Sequence, residues 1–211
     1  MIETYLRPLY EYFFIEPFAH YLGQRFSQHT ITYFACLFGI AVAPALALGL
    51  LGLASIFLLI SGYLDTMDGT IARLTKTVSE QGAVLDILSD RIVEFAVILG
   101  LFFIDPTHRG FLALLMLGSC FICVTSFLVV GIFVKNNSKK GFYYSPGLIE
   151  RGEAFFCFLM MIWLPSYFLE LSLLFTALVF LTAYLRIKQF FISSNLVSIT
   201  IYSGENKSTL K

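Results

Sequence analysis

Long apolar runs fill this chain from about residue 30 to residue 191, and aspartates are set inside two of them. That combination limits the fold more than any other feature. About 20 apolar residues suffice to span a bilayer as a helix. A carboxylate in such a run costs at least ~2.5–3.5 kcal/mol on insertion scales. Asp65, Asp68, Asp86 and Asp90 therefore need a compensating charge, and a divalent metal is the simplest source of one. Composition agrees with a membrane setting. Of the 211 residues 58% are hydrophobic and 13% charged, against about 45–50% and about 25% in soluble domains. Mean hydropathy is +0.81. The expected fold is an all-α polytopic membrane protein in the lipid bilayer, with no soluble domain of useful size and no nucleic acid among its partners.

Breaks in the apolar runs set out six spans. Residues 1–26 place Tyr5, Leu9, Phe13, Phe14 and Tyr21 at roughly helical spacing among polar residues, broken by Pro8 and Pro17. This predicts an amphipathic helix on the membrane surface rather than a cleavable signal. Helix one starts near Thr30, and Pro44 with the small-residue stretch 45–52 marks the turn to helix two, which runs to Arg73. Helix three covers about 82–104. The Pro-containing break at 105–109 is read as a turn before helix four, at about 110–134. A polar loop from Lys135 to Pro146 leads to helix five, about 148–163. Pro165 marks the next turn, and helix six covers about 168–191. The chain thus divides into an amphipathic segment (1–26), a six-helix catalytic domain (27–192) and a tail (193–211).

Charge sorting orients this layout. Six spans place Arg7, Arg25, Arg73, Lys76, Lys135, Lys139, Lys140, Arg151, Arg186, Lys188, Lys207 and Lys211 on one side, and Arg109 alone on the other. By the positive-inside rule both termini and the acidic cluster are cytoplasmic, and a bacterial inner membrane is expected rather than an organelle. Cys36, Cys120, Cys123 and Cys157 lie within apolar segments and read as small hydrophobes, not as a disulfide framework.

Asp65 and Asp68 are three residues apart and Asp86 and Asp90 four apart, so each pair shares a helix face. Helices two and three, joined by a short connection, should pack antiparallel and bring these faces together. Four carboxylates can then hold one or two hard cations, Mg2+ or Mn2+. Gly69, Ala72 and Gly82 leave room for close approach, and the forked donors of Arg73 suit a phosphate. Metal, arginine and small residues together suit a diphosphate substrate. Asp90, the deepest of the four, is the expected general base toward an attacking hydroxyl. A divalent-metal transporter is the competing class, but its acids belong near the bilayer midplane.

The pattern Asp65-x2-Asp68-Gly69-x2-Ala72-Arg73-x8-Gly82-x3-Asp86-x3-Asp90 resembles the signature of the CDP-alcohol phosphotransferases, with every position filled. The resemblance implies a phosphatidyltransferase that moves a phosphatidyl group from CDP-diacylglycerol to a polar alcohol and releases CMP. It implies a metal site at Asp65, Asp68, Asp86 and Asp90, with Asp90 catalytic. It implies CDP contacts at Asp68, Gly69, Ala72, Arg73, Gly82 and Thr32, and a homodimer. His29 stands near where family members often carry Asn, which bears on helix one and not on the metal chemistry. Asp90-Arg91 and the stretch 147–151 resemble members acting on inositol or inositol phosphate. Arg91, Lys135 and Arg151 are the expected acceptor contacts. Glycerol 3-phosphate, serine, or a soluble CDP-alcohol donor are the alternatives.

Overall fold

The computed structural model describes residues 15, 18, 19, 21, 25–75, 79–133, 149 and 151–208. Six helices follow one another: α1 (Gln28–Ala47), α2 (Leu51–Thr75), α3 (Glu80–Ile104), α4 (Pro106–Phe133), α5 (Arg151–Trp163) and α6 (Phe168–Ser208), with a 3-10 turn at Pro165–Tyr167 before α6. No strand occurs among the described residues. Most of the expected amphipathic segment, 1–26, lies outside them. Two of its residues, Ile15 and Ala19, are buried against Ile31 of α1 and Met67 and Ile71 of α2.

Local chemistry explains the helix ends. Ser27 caps α1 by accepting from the Thr30 N–H at 3.3 Å, and Ser79 caps α3 by accepting from Gly82 N–H at 3.1 Å. Each cap supplies a partner for a donor that has none within the helix, worth about 1 kcal/mol. At the other end of α1, Gly49 takes φ 74°. The Leu50 N–H then reaches Ala45 O and the Gly49 N–H reaches Leu46 O, both at 2.9 Å. This paired closure requires the left-handed backbone that glycine adopts without strain. The turn falls inside the stretch expected from sequence, and Pro44 is accommodated within α1 itself.

Two boundaries differ from the sequence reading. The break expected over 105–109 shrinks to Asp105 alone, and α4 begins at Pro106. Proline suits the first position of a helix because its missing N–H would have had no partner there. The Asp105 carboxylate supports this start, accepting from the Thr107 hydroxyl at 2.8 Å and the His108 N–H at 3.2 Å. These bonds, with the His108 ring, hold its carboxyl at about 2, below the ordinary carboxylate range. The second difference is α6, which continues through Ser208 rather than ending near Phe191. No proline or glycine interrupts it before Gly204.

Among the described residues, four stretches are long and apolar enough to cross a membrane: Gln28–Ala47, Leu51–Thr75, Pro106–Phe133 and Pro165–Ile192. Helix α3 has the length, at 25 residues, but carries Asp86, Asp90, Arg91 and Glu94. Helix α5 has 13 residues, about 20 Å at helical rise.

Helices α2 and α3 both pack along α1 and hardly touch each other. This corrects the expectation that the two acid-bearing helices pack face to face. Glycine explains the geometry: a Cβ on Gly100 of α3 would lie 2.9 Å from the Ala43 Cα of α1, so these backbones meet directly. Ser61 of α2 donates to Ala35 O of α1 at 2.8 Å. On the remaining side α5 packs against α2, α3 and α6, and α4 pairs with α6. One apolar core joins all six helices, from Val42 and Leu46 through Leu58, Val97 and Met116 to Phe158 and Phe175. Trp163, at the end of α5, donates to Ser55 Oγ of α2 at 3.0 Å. Arg109 is buried, with Nη1 donating to Leu101 O at 3.2 Å and its guanidinium 4.1 Å above the Phe168 ring.

Candidate metal centre and active site

The acids lie in the half of each helix nearest the α2–α3 connection. Counting back from Thr75 and forward from Glu80 puts them about 9–15 Å inside the helix ends. They sit deeper than the terminal position read from sequence, because α2 runs on to Thr75 and α3 starts early at Glu80. Asp65, Asp68 and Asp86 each present a carboxylate oxygen, and these oxygens lie within 4.8 Å of one another. Three hard oxygen donors at this spacing fit Mg2+ or Mn2+ and not a soft metal.

Asp90 faces the same space but engages a different partner. Arg151, the first residue of α5, bridges Asp90 Oδ1 of α3 and Asp65 Oδ1 of α2 through one nitrogen, Nη1. Its guanidinium also stands 5.2 Å from the Phe155 ring centroid. Arg91 donates to Glu94 Oε2 at 2.5 Å and lies 4.0 Å from Asp90 Oδ2. Five carboxylates (Asp65, Asp68, Asp86, Asp90, Glu94) thus share the site with two guanidinium groups (Arg91, Arg151). In a low-dielectric surrounding this excess of negative charge favours a dication strongly.

The donor set is held from behind by α1. Thr32 Oγ1 donates to Asp68 Oδ2 at 2.6 Å and lies 3.2 Å from Gln28 O. A hydroxyl has one proton, and the shorter bond to the charged acceptor is the stronger. Ser61, one turn before Asp65, ties α2 to α1. Sequence reasoning passed over Ser61, although a serine four residues before an acid in an apolar run is a signal in its favour.

The remaining predicted residues scatter. A Cβ on Gly69 would meet only Arg73 Nη1, at 3.7 Å, so its backbone borders open space. Ala72 is buried. Arg73 is exposed and donates to Thr70 Oγ1 at 2.9 Å. A Cβ on Gly82 would meet the end of the Gln28 side chain, with Nε2 at 2.8 Å. His29 is half-buried on α1, its Nδ1 without a hydrogen-bond partner. Lys135 lies outside the described residues. The four cysteines are free.

Among the described residues, the helices of this integral membrane protein thus bring together an acid-lined centre with donors that could hold a divalent cation. The family model for CDP-alcohol phosphatidyltransferase matches residues 28–193, and the chain belongs to that family. It is a CDP-alcohol phosphotransferase, an enzyme that transfers a phosphatidyl group from a CDP-alcohol to an alcohol acceptor. The chain is also similar to the inner membrane protein YnjF of Escherichia coli (strain K12), at 27% identity over 156 residues, covering 71% of this chain and 75% of that protein.

Proposed function

We propose that this enzyme transfers the phosphatidyl group of CDP-diacylglycerol to a hydroxyl of inositol or inositol phosphate, releasing CMP. The carrying observation is the acid cluster of α2 and α3 with Arg151 of α5 set among its carboxylates. The acceptor oxygen bonds to the β-phosphorus, the bond from that phosphorus to CMP breaks, and the acceptor proton passes to Asp90. Asp65, Asp68 and Asp86, with Asp90, hold one or two Mg2+ or Mn2+ ions, which when bound polarise the phosphoryl oxygens and neutralise the leaving phosphate. Asp68, Gly69, Ala72, Arg73, Gly82 and Thr32 form the nucleotide side. The open space beside Gly69 and the exposed Arg73 support that assignment most directly. Arg91, Lys135 and Arg151 form the acceptor side, where a charged mouth suits a phosphorylated alcohol.

Six spans complete this reading. Helix α3 is the right length for one, and Arg91 and Glu94 within it pair with each other. Helix α5, with 13 residues, is the described part of the fifth span of this reading. Residues 1–26 lie on the surface, 27–192 form the catalytic domain, and 193–211 follow as the tail. Both termini and the active site face the cytoplasm of a bacterial inner membrane, and two copies pair as a homodimer.

CMP release by detergent-purified protein with CDP-diacylglycerol and Mg2+ tests the proposal, using inositol, inositol phosphate, glycerol 3-phosphate and serine as acceptors. Release with inositol or its phosphate, abolished by chelator, is the expected result. Release with glycerol 3-phosphate or serine alone overturns the acceptor. Release only with a soluble CDP-alcohol overturns the donor.

A further inference from the structure

Arg151 stands where a metal reading places positive charge. It is a cation of α5 that reaches between α2 and α3 and contacts one carboxylate from each through the same nitrogen. Asp65 belongs both to this pair and to the three acids whose oxygens converge within 4.8 Å. A carboxylate shared between a guanidinium and a dication holds each less strongly than it would hold either alone, and the two cations repel each other at such range. The rest of Arg151 is poorly satisfied: its Nε and Nη2 are buried without hydrogen-bond partners. A side chain settled into a purely structural role would be expected to use those donors.

We propose that Arg151 is an internal counterion that competes with the divalent cation for Asp65, holding the carboxylates together before metal arrives and yielding Asp65 when it does. The inference rests on the metal site proposed above. It makes Arg151 a positioning residue acting through Asp65 and Asp90, and orders events at the site. Before metal loading its charge is spent on the aspartates; afterwards its donors are free to meet an anionic group.

The test is equilibrium Mn2+ binding to the full chain in detergent, read from the paramagnetic resonance signal of free Mn2+, for wild type, Arg151→Gln and Arg151→Lys. Removing a competing unit charge at this range is expected to tighten Mn2+ binding at least about tenfold in Arg151→Gln. Arg151→Lys keeps the charge and should stay within about threefold of wild type. Thermal unfolding gives a second reading. Stripped of metal, Arg151→Gln should melt below wild type, and saturating Mn2+ should raise its melting temperature more than it raises that of wild type. If the variant is folded only with Mn2+ present, the same conclusion follows.

Weaker or unchanged Mn2+ binding in Arg151→Gln overturns the proposal, because a scaffold role would disorder the ligands and lower affinity. Failure to fold even with saturating Mn2+ overturns it as well. If wild type and both variants bind no Mn2+, the metal reading itself falls, which separates that failure from failure of the counterion alone.

Discussion

Thr32→Val isolates the contribution of α1 to the chemistry. Valine keeps the shape of threonine and removes the hydroxyl that donates to Asp68 Oδ2 at 2.6 Å. Thr32 is buried and Asp68 is 3% exposed, so water cannot readily take the donor's place. A hydrogen bond to a charged group contributes about 1.5–3 kcal/mol, and losing the partner of a metal-binding carboxylate commonly costs about 10–100-fold in affinity or activity. The two figures agree, since about 1.4 kcal/mol corresponds to tenfold. The assay is CMP release as a function of Mg2+ concentration at fixed donor and acceptor. Half-maximal activity in Thr32→Val should require about 10–100 times more Mg2+, while the rate at saturating Mg2+ largely recovers. Thr32→Ser, which keeps the hydroxyl, should stay close to wild type. Wild-type Mg2+ dependence in Thr32→Val would refute the argument. A raised KM for the donor that excess Mg2+ does not lower would instead place Thr32 directly against the nucleotide.

Three further outcomes are expected. Gly100→Ala should lower the melting temperature in detergent by overpacking α1 against α3, a cost of about 1–3 kcal/mol, because its new Cβ meets the Ala43 backbone. Gly118→Ala, with nothing within 4 Å, should be neutral or stabilising by up to about 1 kcal/mol; equal destabilisation by both would contradict the packing account. Asp90→Asn should lower CMP release at least about 100-fold, the scale of a lost general base, a loss that saturating the Mn2+ site does not restore. Asp86→Asn should weaken binding itself, and the reverse pattern would exchange their roles. Asp105 carries a depressed pKa, about 2, so its stabilising bonds are fully present above the ordinary value near 3.9 and are lost as pH falls through about 2. Asp105→Asn should accordingly melt below wild type at pH 5, with the gap closing toward pH 2; a gap independent of pH would point away from the carboxylate charge.

Much of the site could be read from spacing, because carboxylates three and four residues apart in helices have little choice of face. The turn after α1 was legible for a similar reason, since Gly49 lies within the stretch 45–52 and acts on backbone a few residues away; the caps at Ser27 and Ser79 went unread. What stayed hidden depends on distance along the chain. Arg151 and Asp90 are separated by 61 positions, and no local pattern announces that an arginine opening α5 will bridge two other helices. The role of α1 was equally obscure, since Gly100 looks like an ordinary small residue until its neighbours on α1 are known. Asp105–Pro106 misled in the opposite direction: residues that often end a helix instead begin one here, with the carboxylate and proline each suited to its first turn.

Helix α1 bears no Asp, Glu, Lys or Arg over its 20 residues, yet both halves of the acid centre take their register from it. Lesions along this helix will therefore imitate active-site lesions in a genetic screen, lowering turnover without meeting substrate. Repair will follow the same indirect route. A defect introduced at Gly100 is eased by a smaller side chain at Leu46, which the new Cβ also meets at 2.9 Å, not by altering the acids whose alignment was lost.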